Sequence, residues 1–164
     1  MKELKKEFHR LEPMKRLFEL KIPIIGLTGG IATGKSTASA FFQNEGCPII
    51  CADTLVKAIY SKASSISFIK SLNQDAITKD GTIDFPTLRK IFFSSDEIKS
   101  KVESFIYSQM PEAFLEGLRE FNSPKFIIYD IPLLFEKSLE DKFDLTFCIY
   151  APKKIQTERL IKRD

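Results

Sequence analysis

A chain of 164 residues makes about one domain, and 43% hydrophobic with 29% charged residues is too apolar for a disordered protein. The formal charge of +3 is not spread: residues 1–21 hold seven basic and four acidic side chains, and beyond them the two signs balance at 18 each. A neutral body lacks the basic face that nucleic-acid binding needs, and no apolar run reaches the ~18 residues of a membrane helix. The expectation is a cytoplasmic monomer or weak homo-oligomer with neither nucleic acid nor membrane among its partners.

Apolar runs of strand length alternate with segments of helix length, the pattern of an α/β protein with a mainly parallel sheet. After a basic extension over residues 1–21, the first predicted strand is 22–27, followed by a Gly-rich turn and a helix over 35–45 that Gly46 closes. A second strand, 48–51, leads to a helix over 54–62 with Asp53 or Thr54 as its N-cap. Residues 63–123 show helical apolar spacing and no convincing strand; Asp80-Gly81-Thr82 reads as a turn, and Pro111 starts or kinks a further helix. This stretch is expected to be a helical insertion on a core made of 22–62 and 124–164. Strands at 125–129 and 145–150 follow, the first ending in Asp130, the second leading through Pro152 into a last helix. Cys47, Cys51 and Cys148 form no metal-site pattern with the single His9 and are expected to be free and mostly buried.

The strongest signal is Gly29-Gly30-Ile31-Ala32-Thr33-Gly34-Lys35-Ser36, a GxxxxGK[ST] sequence between a predicted strand and a predicted helix. Glycines let backbone N–H groups converge on phosphate oxygens, and the helix start adds its positive dipole end. Lys35 would reach the β and γ phosphates of ATP, Ser36 would ligate Mg²⁺, and Thr37 can add a hydroxyl contact. The nucleotide site is therefore expected over Gly30, Ile31, Ala32, Thr33, Gly34, Lys35, Ser36 and Thr37. Asp130, ending a strand, is the expected carboxylate of the Mg²⁺ shell. Asp53, past the end of the second strand, suits either a helix cap or a base that accepts the proton of an attacking hydroxyl. No NKxD sequence is present to read guanine.

Together these residues resemble the dephospho-CoA kinase family. The resemblance rests on Gly26-Leu27-Thr28-Gly29-Gly30-Ile31 before Gly34-Lys35-Ser36-Thr37, on Ala52-Asp53, on Asp80-Gly81-Thr82-Ile83, and on Asp130-Ile131-Pro132-Leu133-Leu134-Phe135-Glu136. Gln156, Arg159, Leu160, Arg163 and Asp164 fit the helix that enters the family's lid. The resemblance implies a three-layer α/β P-loop kinase core with a helical substrate-binding insertion over 63–123, and transfer of the ATP γ phosphoryl group to the ribose 3'-hydroxyl of dephospho-CoA. It implies Asp53 as catalytic base in preference to a cap, Lys35 as the neutralising cation, and Arg159 and Arg163 as nucleotide contacts. Family members continue past the Arg-Asp dipeptide with a lid and an edge strand, so a chain ending at Asp164 is expected to be cut short and to lack both.

Departures from the family pattern are Tyr107-Ser108 in place of His-Pro, Phe85-Pro86 where an arginine is common, and Cys51 for a frequent Asp. Two rival functions remain at this level. One is a different small-molecule P-loop kinase, of nucleoside monophosphate or shikimate type; the other is a nucleotide-binding protein without catalysis, which a missing lid would favour.

Overall fold

A computed structural model describes residues 2–163, the last of these by its backbone alone. Four strands, β1 (Ile24–Gly29), β2 (Ile49–Cys51), β3 (Ile127–Asp130) and β4 (Leu145–Ile149), form one parallel sheet in the order β2-β3-β1-β4. Parallel strands need helical crossovers, and the chain supplies α1 (Lys35–Asn44), α2 (Ala52–Ser61), α3 (Ala63–Leu72), α4 (Phe85–Ser94), α5 (Asp96–Arg119) and α6 (Lys153–Arg163). The chain divides into two compact units, one of residues 1–52 with 118–164, the other of residues 53–117. Helix α2 therefore groups with the helices that follow it and not with the strands, moving the division ten residues earlier than 63.

In the first unit, side-chain alternation along β1 serves two faces. Ile25 and Leu27 join Phe126 and Ile128 in a buried cluster, against which Phe42 of α1 packs. Gly26 points the other way, where a Cβ would stand 2.6 Å from Leu134 Cδ1 and 3.2 Å from the Phe143 ring. Central β1 thus lies between β3 and β4, and the loop after it leaves from the middle of the sheet at its carboxyl edge, where ligands of open α/β folds bind.

Residues 2–21 of the basic extension are structured and packed against the rest of their unit. They run as three short 3-10 turns, Lys6–Phe8, Pro13–Lys15 and Leu17–Glu19, and they are tied to the body along their length. Lys2 reaches Glu45 at the end of α1, Leu4 packs on the β1 cluster, the Phe18 and Tyr129 rings meet at 6.5 Å, and Leu20 is buried. Arg16 is buried as well, against Asp144 just before β4.

The second unit is helical, as its apolar spacing predicts, with only an isolated bridge between Ile77 and Ile83. Asp80-Gly81-Thr82 is the turn inside that bridge: Gly81 takes φ +78, and Thr78 N–H donates to the Thr82 carbonyl at 2.8 Å. Asp84 caps α4 through the Thr87 N–H and hydroxyl. Pro111 neither starts nor ends a helix, since α5 runs through it for 24 residues. Buried Met110, Ala113 and Phe114 flank it, and their packing holds the helix through a residue that lacks an N–H. The thiols are free, as expected, but Cys47 and Cys51 are only half-buried and Cys148 is exposed. Cys148 lies on the edge strand β4, which among the described residues pairs only with β1.

Candidate active site

The phosphate-loop sequence takes the form its glycines require. Gly34 has φ +105, a left-handed conformation costly to any residue with a Cβ, and it delivers the chain into α1. With glycine as N-cap, no side chain occupies the first-turn N–H groups of α1, and no acidic residue sits in that turn to repel an anion. Ala32 is also left-handed, at φ 57. Thr33, buried, donates its hydroxyl to the Gly30 carbonyl at 2.9 Å, while Ile31 stands 68% exposed at the tip. Ser36 and Thr37 present exposed positions in the first turn of α1. A ring of N–H groups at a helix start, with hydroxyls beside it, can bind phosphate.

Lys35 and Asp130 meet at this loop. The sheet register sets Asp130 opposite Leu27 on one side and Cys51 on the other, at the carboxyl ends of β2 and β3. Lys35 Nζ donates to Asp130 Oδ1 at 2.5 Å, with side chains 16% and 5% exposed. The carboxylate thus holds the lysine at the loop, in a charge-assisted bond shielded from water. A carboxylate at a strand end and a serine hydroxyl in the first turn of the helix are hard oxygen donors, the chemistry that Mg²⁺ prefers.

Asp53 lies inside the first turn of α2, exposed, and does not cap it: the helix starts one residue earlier, at Ala52. Thr54 is likewise within the helix. Arg159, on α6, reaches the phosphate loop itself, donating from Nη1 to the carbonyls of Ala32 at 3.0 Å and Thr33 at 2.9 Å. Arg163 closes α6; its side chain, like the whole of Asp164, lies outside the described residues.

The family model described as dephospho-CoA kinase matches residues 23–164, nearly the whole chain. The chain belongs to the dephospho-CoA kinase family. A dephospho-CoA kinase of Fusobacterium nucleatum is 35% identical over 146 residues, which are 88% of this chain and 75% of that protein. One from Carboxydothermus hydrogenoformans is 35% identical over 149 residues, covering 88% and 72%. Among solved structures, a crystal structure of a Thermus thermophilus protein matches with a TM-score of 0.77 at 29% identity, covering 88% of this chain and 74% of that one. The dephospho-CoA kinase from Campylobacter jejuni matches at 0.61 and 27%, covering 86% and 72%. The resemblance carried by the motifs and the α/β P-loop kinase fold both hold. Residues up to Ile22 precede the family match, although the structure ties them into the sheet unit.

Two features of this kinase site lie outside the expected site residues. Gly29, outside the expected nucleotide-binding set, is the position with no room: a Cβ there would stand 2.7 Å from the Ile149 carbonyl oxygen and 2.8 Å from Thr33 Oγ1. Gly30, inside that set, would meet nothing closer than 3.6 Å. The GxxxxGK[ST] spacing requires glycine at 29 and leaves 30 open, and the Ile149 carbonyl of β4 together with Thr33 Oγ1 supplies the steric reason. Leu133, within the Asp130-to-Glu136 signature, holds φ 59 and is half exposed, while its neighbour Leu134 is fully buried under Gly26. A left-handed leucine has no mark in sequence.

Proposed function

We propose that the chain transfers the γ phosphoryl group of ATP to the ribose 3'-hydroxyl of dephospho-CoA, giving coenzyme A and ADP. The observation that carries this reading is the family match over residues 23–164, coinciding with a phosphate loop whose lysine and strand-end carboxylate are already paired. The N–H groups of the loop and of the first α1 turn bind the β and γ phosphates, with Ser36 and Thr37 beside them. Lys35 exchanges its bond to Asp130 for the phosphates and neutralises charge that develops as the β–γ bridging bond breaks. Asp53 takes the proton of the 3'-hydroxyl as that oxygen bonds to the γ phosphorus. Arg159 and Arg163 serve the nucleotide side of the site.

Ser36 and Asp130 would hold Mg²⁺, which when bound screens charge on the phosphate oxygens. Residues 53–117 are read as the unit that binds the acceptor. A cytoplasmic location belongs to the same proposal.

The test is ATP consumption coupled to coenzyme A formation, with dephospho-CoA, AMP and shikimate compared as acceptors. Turnover that needs both dephospho-CoA and Mg²⁺ supports the assignment. Turnover with AMP or shikimate instead, or ATP binding with no acceptor-dependent turnover, overturns it.

A further inference from the structure

We infer that Arg159 is a positioning residue that acts on the nucleotide through the phosphate loop's main chain and not by touching the nucleotide. The inference rests on the reading of residues 29–37 as a phosphate site. Such a loop works only if its N–H groups point inward, so its carbonyls, which would repel phosphate oxygens, must be turned away and kept there. Three carbonyls of this loop are held by side-chain donors. Thr33 Oγ1 takes the Gly30 carbonyl at 2.9 Å from within the loop. Arg159 Nη1 takes those of Ala32 and Thr33, at 3.0 and 2.9 Å, from α6. One guanidinium nitrogen thus spans the two residues just before the left-handed Gly34, and Ala32 is itself left-handed, a conformation an alanine keeps only when its surroundings impose it. The guanidinium also lies against Gly34, where a Cβ would meet Nη1 at 3.4 Å.

The helix that carries Arg159 is itself anchored. Gln156, one turn earlier, donates from Nε2 to the Ala151 carbonyl at 2.7 Å, at the junction between β4 and α6. That ties the start of the helix to the segment leaving β4, the strand paired with β1, and Arg159 then fixes the far side of the loop that β1 feeds. The loop is braced from α6, whose start is itself held to the segment leaving β4, so its anion-binding shape exists before ATP arrives, and the ordering cost of binding falls.

The test compares Arg159→Met with the parent chain in two measurements. Binding of Mg²⁺-ATP and of inorganic tripolyphosphate should weaken by the same factor, roughly fivefold, the weight of one net hydrogen bond. Amide order parameters of residues 30–34 should fall in the nucleotide-free protein while those of the sheet stay unchanged. Arg159→Gln, too short to span both carbonyls, should show the same pair of changes if the methionine variant folds poorly. Weaker ATP binding with tripolyphosphate unaffected would assign Arg159 to the adenine and overturn the inference. Weaker binding of both ligands with an unaltered free loop would make it a direct phosphate contact and overturn it equally. Neither measurement involves dephospho-CoA, so a failure of the proposed acceptor leaves the brace standing, and a mobile loop in an active enzyme does the reverse.

Discussion

Arg16 and Asp144 form a buried ion pair, Nε to Oδ2 at 2.7 Å and Nη2 to Oδ1 at 3.0 Å, with side chains 5% and 0% exposed. The same carboxylate accepts the N–H of Leu11 and of Ile24, each at 3.0 Å, so one aspartate joins the N-terminal segment, the start of β1 and the start of β4. Arg16 completes its shell by donating to the Leu20 and Lys21 carbonyls. A basic residue of the charged N-terminal segment is thus an interior group, and part of the charge counted there never meets solvent.

Breaking that pair from one side leaves a buried charge alone. Arg16→Ala should destabilise the protein by about 3–5 kcal/mol in denaturant unfolding, and Asp144→Ala by at least as much, because two backbone N–H groups lose their acceptor as well. Deleting residues 2–21 should reproduce the loss; a deletion that leaves stability unchanged would show the segment to be dispensable.

Asp144 also gives stability an acid limb. Burial by itself raises the carboxyl's pKa, but hydrogen bonds from Arg16, Ile24 and Leu11, with the Arg16 charge, outweigh it and hold the group below the ordinary carboxylate range. A pKa lower in the folded than in the unfolded state gives stability that is complete above the unfolded value and lost as pH falls towards the folded one. Unfolding free energy should therefore decline on acidification through the carboxylate range, and Asp144→Asn should flatten that decline while lowering stability at neutral pH.

Lys35 and Asp130 separate chemistry from stability. Lys35→Met should lower turnover by about 10²–10³-fold, the weight of a lost preorganised donor, and should cost about 1–3 kcal/mol by leaving a buried carboxylate without its partner. Adding Asp130→Asn to Lys35→Met should recover much of that stability and none of the activity. Recovery of both would mean the lysine does not act on the phosphates.

Asp53 sits inside the first turn of α2, so its structural share is the helix-dipole contribution and not a cap. Asp53→Asn should stay within about 1 kcal/mol of the parent in stability while turnover falls by about 10²–10⁴-fold. Unchanged turnover would remove it as the base.

The three loop glycines should part company when given a methyl group. Gly29→Ala forces a Cβ against the Ile149 carbonyl and Thr33 Oγ1 and should cost about 1–3 kcal/mol together with nucleotide affinity. Gly34→Ala places a side chain at φ +105 and should cost at least ~1 kcal/mol. Gly30→Ala, with 3.6 Å of clearance, should fold normally, which thermal unfolding of the three variants checks directly.

The order of strands and helices was readable from the chain because it rests on local chemistry: apolar runs of strand length, a glycine-rich turn at Gly29–Gly34, Gly81 in its turn, and proline at the start of the last helix. The phosphate loop was readable for the same reason, since its shape depends on residues adjacent in sequence. What local pattern could not decide is where distant groups meet. Nothing local in the sequence marks Arg16 or Asp144 as interior; the fold brings together these residues, separated by 128 positions, and removes both from water. Arg159 read as a nucleotide contact on a helix face, yet it is held by two carbonyls more than 120 residues earlier in the chain. The motif asks for glycine at 29 and not at 30, but the reason lies in the fold, where the carbonyl of Ile149 on the adjoining strand and Thr33 Oγ1 leave no room for a Cβ at 29. Burial, desolvation and steric room are properties of the packed chain, so the sequence by itself determined the family and the loop, and tertiary contacts decided which charges are interior and which neighbours hold the loop in shape.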